Sequence, residues 1–547
     1  MNNMQKVIKK RSYEMDMTEG PFFKKIVLFC IPLMLTGILQ LLYNAADLII
    51  VGKFGTTSGA VGAVGSTSAL INLIVNLFMG LSVGANVLAA RRFASKDNDG
   101  LSRVVHTSIT VSFIFGIFLG IIGFIFAKQF LQLMNNERSL AVTYLKIYFI
   151  GMPFNMLYNF AASILRGIGD TKRPLYYLTI AGAINVVLNI IFVAVFHLDV
   201  DGVAIATVIS QVISCVLIIN CLLKTKEAYG FSFKKIHIYK DELIEITKIG
   251  LPAGIQGSVF SISNVIIQTS VNRFDPYFDF VMDGNSIAQS LEGFVYTSMN
   301  SVYHAALAFT GQNVGANKLK NVTKVTINCL ALVTIIGVVM GGSFYLLGGP
   351  LSSIYANKNE ANYLDQIAVS CFRLNYLCLP YFLCGIMDVM VGILRGLGYS
   401  IMPMIVSILG VCGFRIGWIY LIFYNVTDFT RWQDLHYLYI SYPISWIITF
   451  AIHLTCYEVI YHKLLKKDKM ANEIAKFDTL TPQQAFKSPA ALEKFKSVLD
   501  GSETQFVASL LSIINNNSHL AKATNTSIMN AAMKAATLKL PIEPSLG

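Results

Sequence analysis

The chain has 547 residues, 54% of them hydrophobic and 14% charged, with a formal net charge of +12 at pH 7. Soluble domains usually carry about 25% charged residues, and the apolar residues here fall in many separate runs, which excludes a large soluble enzyme with a single membrane anchor. Gly and Pro are spread without a period and nine Cys make no disulfide framework, so collagen-like, disordered and disulfide-scaffold classes are excluded as well.

In chain order, Met1 to Lys25 is polar and basic, and the first apolar run is Ile26 to Val51. That run is too long for a signal-peptide core and no small-residue cleavage site follows it, so it reads as a retained span. Further runs lie at about 60–90, 104–127, 140–165, 175–197 and 202–223. The stretch 224–248, with Lys234, Lys235, Lys240, Asp241 and Glu242, is a polar linker. Six more runs follow at about 249–272, 286–312, 322–347, 365–393, 401–424 and 437–462. Each suits a helix spanning a bilayer, which needs roughly 20 apolar residues.

The placement of charge fits the same picture. The N-terminal segment, the loops after even-numbered runs and Lys463–Lys469 hold about 26 Lys and Arg, against about 6 in the loops after odd-numbered runs. By the positive-inside rule both ends and the linker are cytoplasmic, and the number of spans is even. The basic excess is therefore explained without nucleic acid.

The two halves repeat. Leu165-Arg166-Gly167-Ile168-Gly169 recurs as Leu394-Arg395-Gly396-Leu397-Gly398, with Pro174 and Pro403 at the same distance beyond. Pro32 matches Pro252, and Pro153 matches Pro380. A repeat of six spans re-enters from the same side, so the expected fold is all-α and polytopic: twelve transmembrane helices in two parallel six-helix lobes. The lobes are residues 1–223 and 249–465, joined by the linker 224–248. Paired bundles that rock about a central cavity predict a transporter.

Carboxylates inside the bilayer are costly and need a reason. Asp47 lies late in span one with no Lys or Arg within a turn except Lys53 beyond its end. It is a candidate proton or cation site; the bland alternative is an interfacial Asp capping a loop. Asn185 and Asn189 are one turn apart on a face of span five, and Thr207 opens span six. Oxygens of these side chains could form a cation cage or tune a protonatable Asp47; ordinary interhelical hydrogen bonding explains them equally well. Glu292 and Asp388 in the second half either line a cavity for cationic cargo or pair with Arg373 or Arg415. Arg166 and Arg395, each followed by Gly, fit helix C-termini rather than a substrate site. Plentiful Tyr, Phe and Met would suit an adaptable cavity for flat drugs, a weak signal in any bilayer protein. No phosphate-binding GxxxxGK[ST] loop occurs, so ATP drive within the chain is not expected. Cys371, Cys378 and Cys384 have no His partner and read as packing residues. No catalytic pattern, metal site or cofactor is expected.

Residues about 15–465 resemble the multidrug and toxic compound extrusion (MATE) transporters. The resemblance is carried by Leu42-Tyr43-Asn44, Asp47, Val51-Gly52 and Gly55; by Leu165 to Pro174; by Asn185-Val186-Val187-Leu188-Asn189 with Gly202 to Thr207; and by Gly311-Gln312-Asn313-Val314-Gly315-Ala316. It implies a multi-pass protein of a bacterial cytoplasmic membrane that is not an enzyme. The implied activity is export of organic cations or amphipathic drugs, driven by inward protons or sodium ions. It further implies a cation-coupling group of Asp47, Asn185, Asn189 and Thr207, with any sodium ion held there. One departure bears on the ion: the position of Asn189 is often Asp in the family, so a single carboxylate remains and sodium should be held less strongly. Glu292 matches an acidic position often seen in span eight; Asp388 has no assigned counterpart. A flippase for lipid-linked or polysaccharide precursors is the alternative transporter. Its cavity should be basic, whereas Asp47, Glu292 and Asp388 favour cationic cargo.

At Met470 the composition changes, and Met470 to Phe477 reads like a fresh protein start. Residues 470–547 hold seven Lys or Arg and six Asp or Glu, with helix candidates at Ala490–Leu499, Glu503–Asn515 and Thr526–Leu538 and closing signals at Pro541, Pro544 and Gly547. This tail resembles the N-terminal part of RecT-like phage single-strand annealing proteins through Thr504 to Ser509, Ala531 to Ala536 and Leu540 to Gly547. It ends where that family's strand-rich DNA-binding core would continue. It is short, nearly neutral and without a basic groove, so neither nucleic-acid binding nor a membrane-tethered annealing module is expected. A fused reading frame fits better than a two-function protein.

Overall fold

The computed structural model describes residues 13–54, 60–133, 139–274, 276–356, 358, 360–499, 501–538, 540 and 542. Gly55 of the first-span motif, and Pro541, Pro544 and Gly547 of the tail, lie outside them. Among the described residues there is no strand. The chain divides into two compact units, Met1–Tyr457 and Glu458–Gly547.

The first unit is a helical bundle. Its first half runs through α1 (Phe22–Phe54), α2 (Ala60–Ala94), α3 (Asn98–Leu133), α4 (Ser139–Ile150), α5 (Met152–Gly167), α6 (Lys172–Ile190) and α7 (Asp199–Lys224). Its second half runs through α8 (Lys240–Asn272), α9 (Phe280–Gly315), α10 (Lys320–Leu346), α11 (Gly348–Tyr355), α12 (Tyr363–Leu377), α13 (Tyr381–Gly396), α14 (Ile401–Ser407), α15 (Phe414–Trp418), α16 (Tyr424–Val426), α17 (Leu435–Tyr439) and α18 (Ser441–Thr479). Helices are what these apolar runs must form in lipid, where each backbone group has to be satisfied within its own segment. Nine helices among the described residues are long and apolar enough to cross a membrane, and eleven spans result when each of two bent pairs counts as one. The remaining segment, α9, has 36 residues and falls short only in apolarity, since much of its surface, with Asn285, Glu292, Gln312 and Asn313, is buried in protein rather than lipid. The architecture is therefore consistent with the twelve expected segments. The polar stretch 224–248 is partly helical, since α8 already starts at Lys240.

The internal repeat is also geometric. The fourth span bends by 50° between α4 and α5, and the tenth by 52° between α12 and α13. Neither is the single straight helix that the apolar runs suggest. Pro153 and Pro380 stand at the starts of α5 and α13, where a proline needs no backbone donor. The two Leu-Arg-Gly segments end alike. Gly169 and Gly398 have φ of +95° and +94°, a left-handed turn that glycine adopts without strain. Their N–H groups donate to the carbonyls of Arg166 and Arg395, and the next residues, Asp170 and Tyr399, donate to Leu165 and Leu394. A π-helical stretch, Ile191–Val195, follows α6, and Ile419–Phe423 follows α15 in the second half.

The halves meet along α2 and α8. Gly80, Gly84, Gly250 and Gly254 lie backbone to backbone and leave no room for a Cβ. Small residues let helices approach this closely in membranes. At one end of the bundle polar contacts close the seam. Glu242 accepts from Arg92 at 3.2 Å and lies 3.5 Å from Arg103, and Arg91 donates to the Gly396 carbonyl at 2.9 Å. Gln312 accepts from Met17 N at 3.0 Å and donates to the Gly167 carbonyl at 2.9 Å, while Asn313 donates to the Met17 carbonyl at 2.9 Å.

The second unit begins within α18, which passes through Met470 without a break. The compositional step seen there is thus not a structural one. Residues Lys463–Thr479 are mostly good helix formers, and the stop comes at Thr481, whose side chain caps α19 (Pro482–Phe486) in a reciprocal bond with Gln484. Then come α20 (Pro489–Leu499), α21 (Glu503–Asn516) and α22 (Asn525–Thr537). They bury Phe486, Phe495, Leu510, Leu511, Ile514, Ile528 and Met529 in one core.

Candidate functional site

A cavity of about 280 Å³ lies in the first half of the bundle, lined by α1, α4, α5, α6 and α7. Its walls are polar stripes on apolar helices. Gln40, Tyr43, Asn44 and Asp47 recur at the three-to-four-residue spacing that puts them on one face of α1. Tyr144 is one turn from Tyr148 on α4, and Thr207, Ser210, Gln211 and Ser214 form a third stripe on α7. Close approach of α1 and α6 is set by Gly182, whose missing side chain is replaced by the ring of Tyr43.

Three of the four residues expected to act together are in direct contact. Asn189 Nδ2 donates to Asp47 Oδ1 and, at 3.3 Å, to Asn185 Oδ1. Asp47, Asn185 and Asn189 are all buried. Thr207 lines the same cavity but makes no hydrogen bond to them through its hydroxyl. Two oxygens in this group, Asn189 Oδ1 and Thr207 Oγ1, are buried without a partner. Asp47 enters none of the ion pairs among the described residues. One carboxylate and several neutral oxygens, some unpartnered, form a donor set that suits a hard cation or a proton. Among the described residues no group of three or more His, Cys, Asp or Glu could hold a metal ion.

The second-half acids sit differently. Glu292 receives both Nε and Nη2 of Arg373, at 2.7 and 2.9 Å, with both side chains nearly fully buried. Arg373 Nη1 donates to Asn285 Oδ1 at 2.8 Å, and the Tyr439 hydroxyl donates to the same oxygen at 3.0 Å. A two-pronged guanidinium–carboxylate pair is strong and directional. Glu292 is therefore engaged by the ion-pair partner that was one of its two readings. Asp388 lies beside the Tyr296 hydroxyl and within the influence of the Arg395 charge. Arg395 does more than close a helix: it is buried and donates to Tyr303 Oη at 2.7 Å and Gln256 Oε1 at 2.8 Å.

Sequence reasoning missed Gln40, Tyr144, Tyr148, Ser210, Gln211 and Ser214 as cavity residues. A signal for them existed, namely polar side chains at helical spacing within apolar spans. The seam contacts of Arg92 with Glu242 had none, because the partners are 150 residues apart.

The profile of the family described as MatE matches residues 32–191 and 252–421, together more than half of the chain. That of the RecT family matches residues 504–546. The probable multidrug resistance protein YoeA of Bacillus subtilis is 26% identical over 453 residues, covering 81% of this chain and 94% of its own length. The multidrug export protein MepA of Staphylococcus aureus is 22% identical over 396 residues, covering 72% and 85%. Among solved structures, an outward-facing multidrug resistance MATE family transporter of the MOP superfamily superposes with a TM-score of 0.74 at 22% identity, over 82% of this chain and 98% of its own. A MOP superfamily transporter from Pyrococcus furiosus gives 0.74 at 22% identity, over 80% and 96%. At this identity the structures speak for the fold, and they agree with the profile that matches both halves: the chain belongs to the MatE family.

Proposed function

We propose that the protein is a secondary active antiporter that exports organic cations or amphipathic drugs across a bacterial cytoplasmic membrane. Inward protons or sodium ions drive the export, and both termini are cytoplasmic. The reading rests above all on one observation: Asp47 is a buried carboxylate in a polar cavity, with no ion-pair partner among the described residues. Burying a charge is costly unless something compensates it. A cation that comes and goes, whether coupling ion or cargo, is such a compensation. Asn185, Asn189 and Thr207 supply neutral oxygens beside it, and one carboxylate can be occupied by a proton or by a weakly held sodium ion.

The moving bodies are residues 1–223 and 249–465, joined through 224–248. The seam of α2 and α8, with separable hydrogen bonds and ion pairs at one end, supports alternation between two closed arrangements. Multidrug resistance and export in the names of the Bacillus and Staphylococcus relatives support the same cargo class. Asp388 remains a cavity candidate, whereas the Glu292 charge is used by Arg373. The protein has no enzymatic role in this reading, and the small helical tail binds no nucleic acid.

The test is ethidium efflux from drug-sensitive bacteria expressing the full chain or Asp47→Asn, with and without sodium at fixed pH. Energy-dependent efflux that Asp47→Asn abolishes supports the proposal, and its sodium dependence identifies the ion. No efflux of any dye from well-inserted protein overturns it in favour of a flippase or a narrow-substrate carrier.

A further inference from the structure

The second half of the bundle holds a surplus of positive charge in its interior. Three guanidiniums, Arg373, Arg395 and Arg415, are 3%, 5% and 6% exposed. Two carboxylates face them. Glu292 is taken by Arg373, whereas Asp388 forms no ion pair among the described residues and Arg395 is held by Tyr303 and Gln256. Arg415 is the least engaged of the three. It enters none of the ion pairs among the described residues. Its Nε donates to Ser445 Oγ at 3.0 Å, and its Nη2 is buried without a partner. Its guanidinium lies 3.9 Å from the centre of the Tyr442 ring and 5.6 Å from that of Trp446. Trp446 in turn contacts Tyr381 at 5.2 Å between centroids. Ring faces stabilise a guanidinium in part, but they do not replace an anion.

The local backbone marks the same residue. Arg415 sits in the short helix α15, between the π-helical stretches Ile408–Gly413 and Ile419–Phe423. π stretches within helices are rare and gather at functional sites. They also shift register, because i to i+5 bonding takes up about one residue more than i to i+4. Pro174 and Pro403 set the repeat at about 229 positions. With one residue taken up by Ile408–Gly413, Arg415 falls where the first half has Asn185, a wall of the Asp47 cavity. One helical position thus holds a neutral amide beside the Asp47 cavity in the first half and a buried guanidinium in the second.

We propose that Arg415, with Tyr442 and Trp446 as an aromatic wall, binds the carboxylate or similar monoanion of an amphipathic cargo with a flat apolar body. The site deepens the exporter reading and rests on it. It widens the cargo from cations to zwitterions and organic anions. Arg suits the task because its planar fork stays charged and matches a carboxylate with two parallel bonds.

A matched pair of dyes tests this: tetramethylrhodamine, which carries a free carboxylate, and its methyl ester, which does not. Binding to the purified full-length protein is followed by fluorescence anisotropy. The expected result is that Arg415→Gln weakens binding of the acid by about tenfold or more, leaves the ester within about twofold, and that Arg415→Lys recovers part of the loss. Equal effects on both dyes, no effect on either, or wild-type protein that fails to bind the acid overturns the anion site. Should Arg415→Gln not fold, Arg415→Lys and Trp446→Leu decide: both must weaken the acid more than the ester, or the site is refuted. Efflux of the two dyes from cells separates this failure from that of the exporter reading. Export of the ester with indifference to Arg415 removes only the anion site, whereas export of neither dye removes both.

Discussion

The two halves of the bundle share a backbone plan and differ in how they handle buried charge. In the first half, Asp47 stands in a polar cavity beside amides and hydroxyls, with no ion-pair partner among the described residues. In the second, Glu292 is locked to Arg373 and buttressed by Asn285 and Tyr439. Both carboxylates lie in membrane helices, and both would look alike in a hydropathy trace. On the proposed reading, an intramembrane acid serves as a working site when its charge is left for something mobile to compensate. A satisfied pair is a fixed strut.

The sharpest way to break that contrast is to remove one charge from each half. Glu292→Gln leaves Arg373 buried and unpaired, so the protein should lose about 3–5 kcal/mol of stability. Replacing both partners together with apolar residues should restore much of it. Thermal unfolding of the purified protein in detergent checks both variants. Asp47→Asn, by contrast, should leave the melting temperature unchanged or slightly higher, since no base is orphaned.

The shape of the first-half cavity comes next in size. Gly182→Val places a side chain where the Tyr43 ring lies. Overpacking of this kind costs about 1–3 kcal/mol, and here it should also push Tyr43 across the cavity. Ethidium transport should fall severalfold while membrane insertion persists. A variant that transports normally would show that α1 and α6 separate without consequence.

Asn189→Asp adds a second carboxylate beside Asp47. Two like charges at short range favour a bound cation, and sodium affinity should rise by about tenfold, or about 1.4 kcal/mol. Sodium titration of tryptophan fluorescence or of transport rate reads this out, and an unchanged sodium response would mean the ion binds elsewhere. The smallest effect is expected from Thr207→Val. It removes a hydroxyl that has no present partner, so stability should hold. Coupling should weaken by a fewfold if that oxygen serves the ion, in line with about 1 kcal/mol for one hydrogen bond. No change in coupling would confine Thr207 to the cavity wall.

Much of this was legible in the sequence because lipid imposes simple rules. Twelve apolar runs became helical segments, and the repeat seen in Leu165–Gly169 and Leu394–Gly398 reappeared as matching left-handed turns. The tail helices begin and end within a residue of where capping signals place them. The bends at Gly151 and near Pro380 were present as paired prolines but were not read as breaks. The π stretches had no residue signature. Pairing was the least legible feature. Arg373 lies 81 positions from Glu292, and nothing in spacing tells whether it or Arg415 takes that acid. The face of α1 was more accessible: Gln40, Tyr43, Asn44 and Asp47 share it by periodicity alone.

The central claim is that the uncompensated carboxylate of Asp47 couples cargo to an ion. The most direct measurement uses purified full-length protein in liposomes, with a proton gradient or a sodium gradient imposed separately and ethidium movement followed by fluorescence. Wild-type protein should drive ethidium against its own gradient with one of the two ions, and Asp47→Asn should support none of that uphill movement. Undiminished gradient-driven transport by Asp47→Asn would contradict the account.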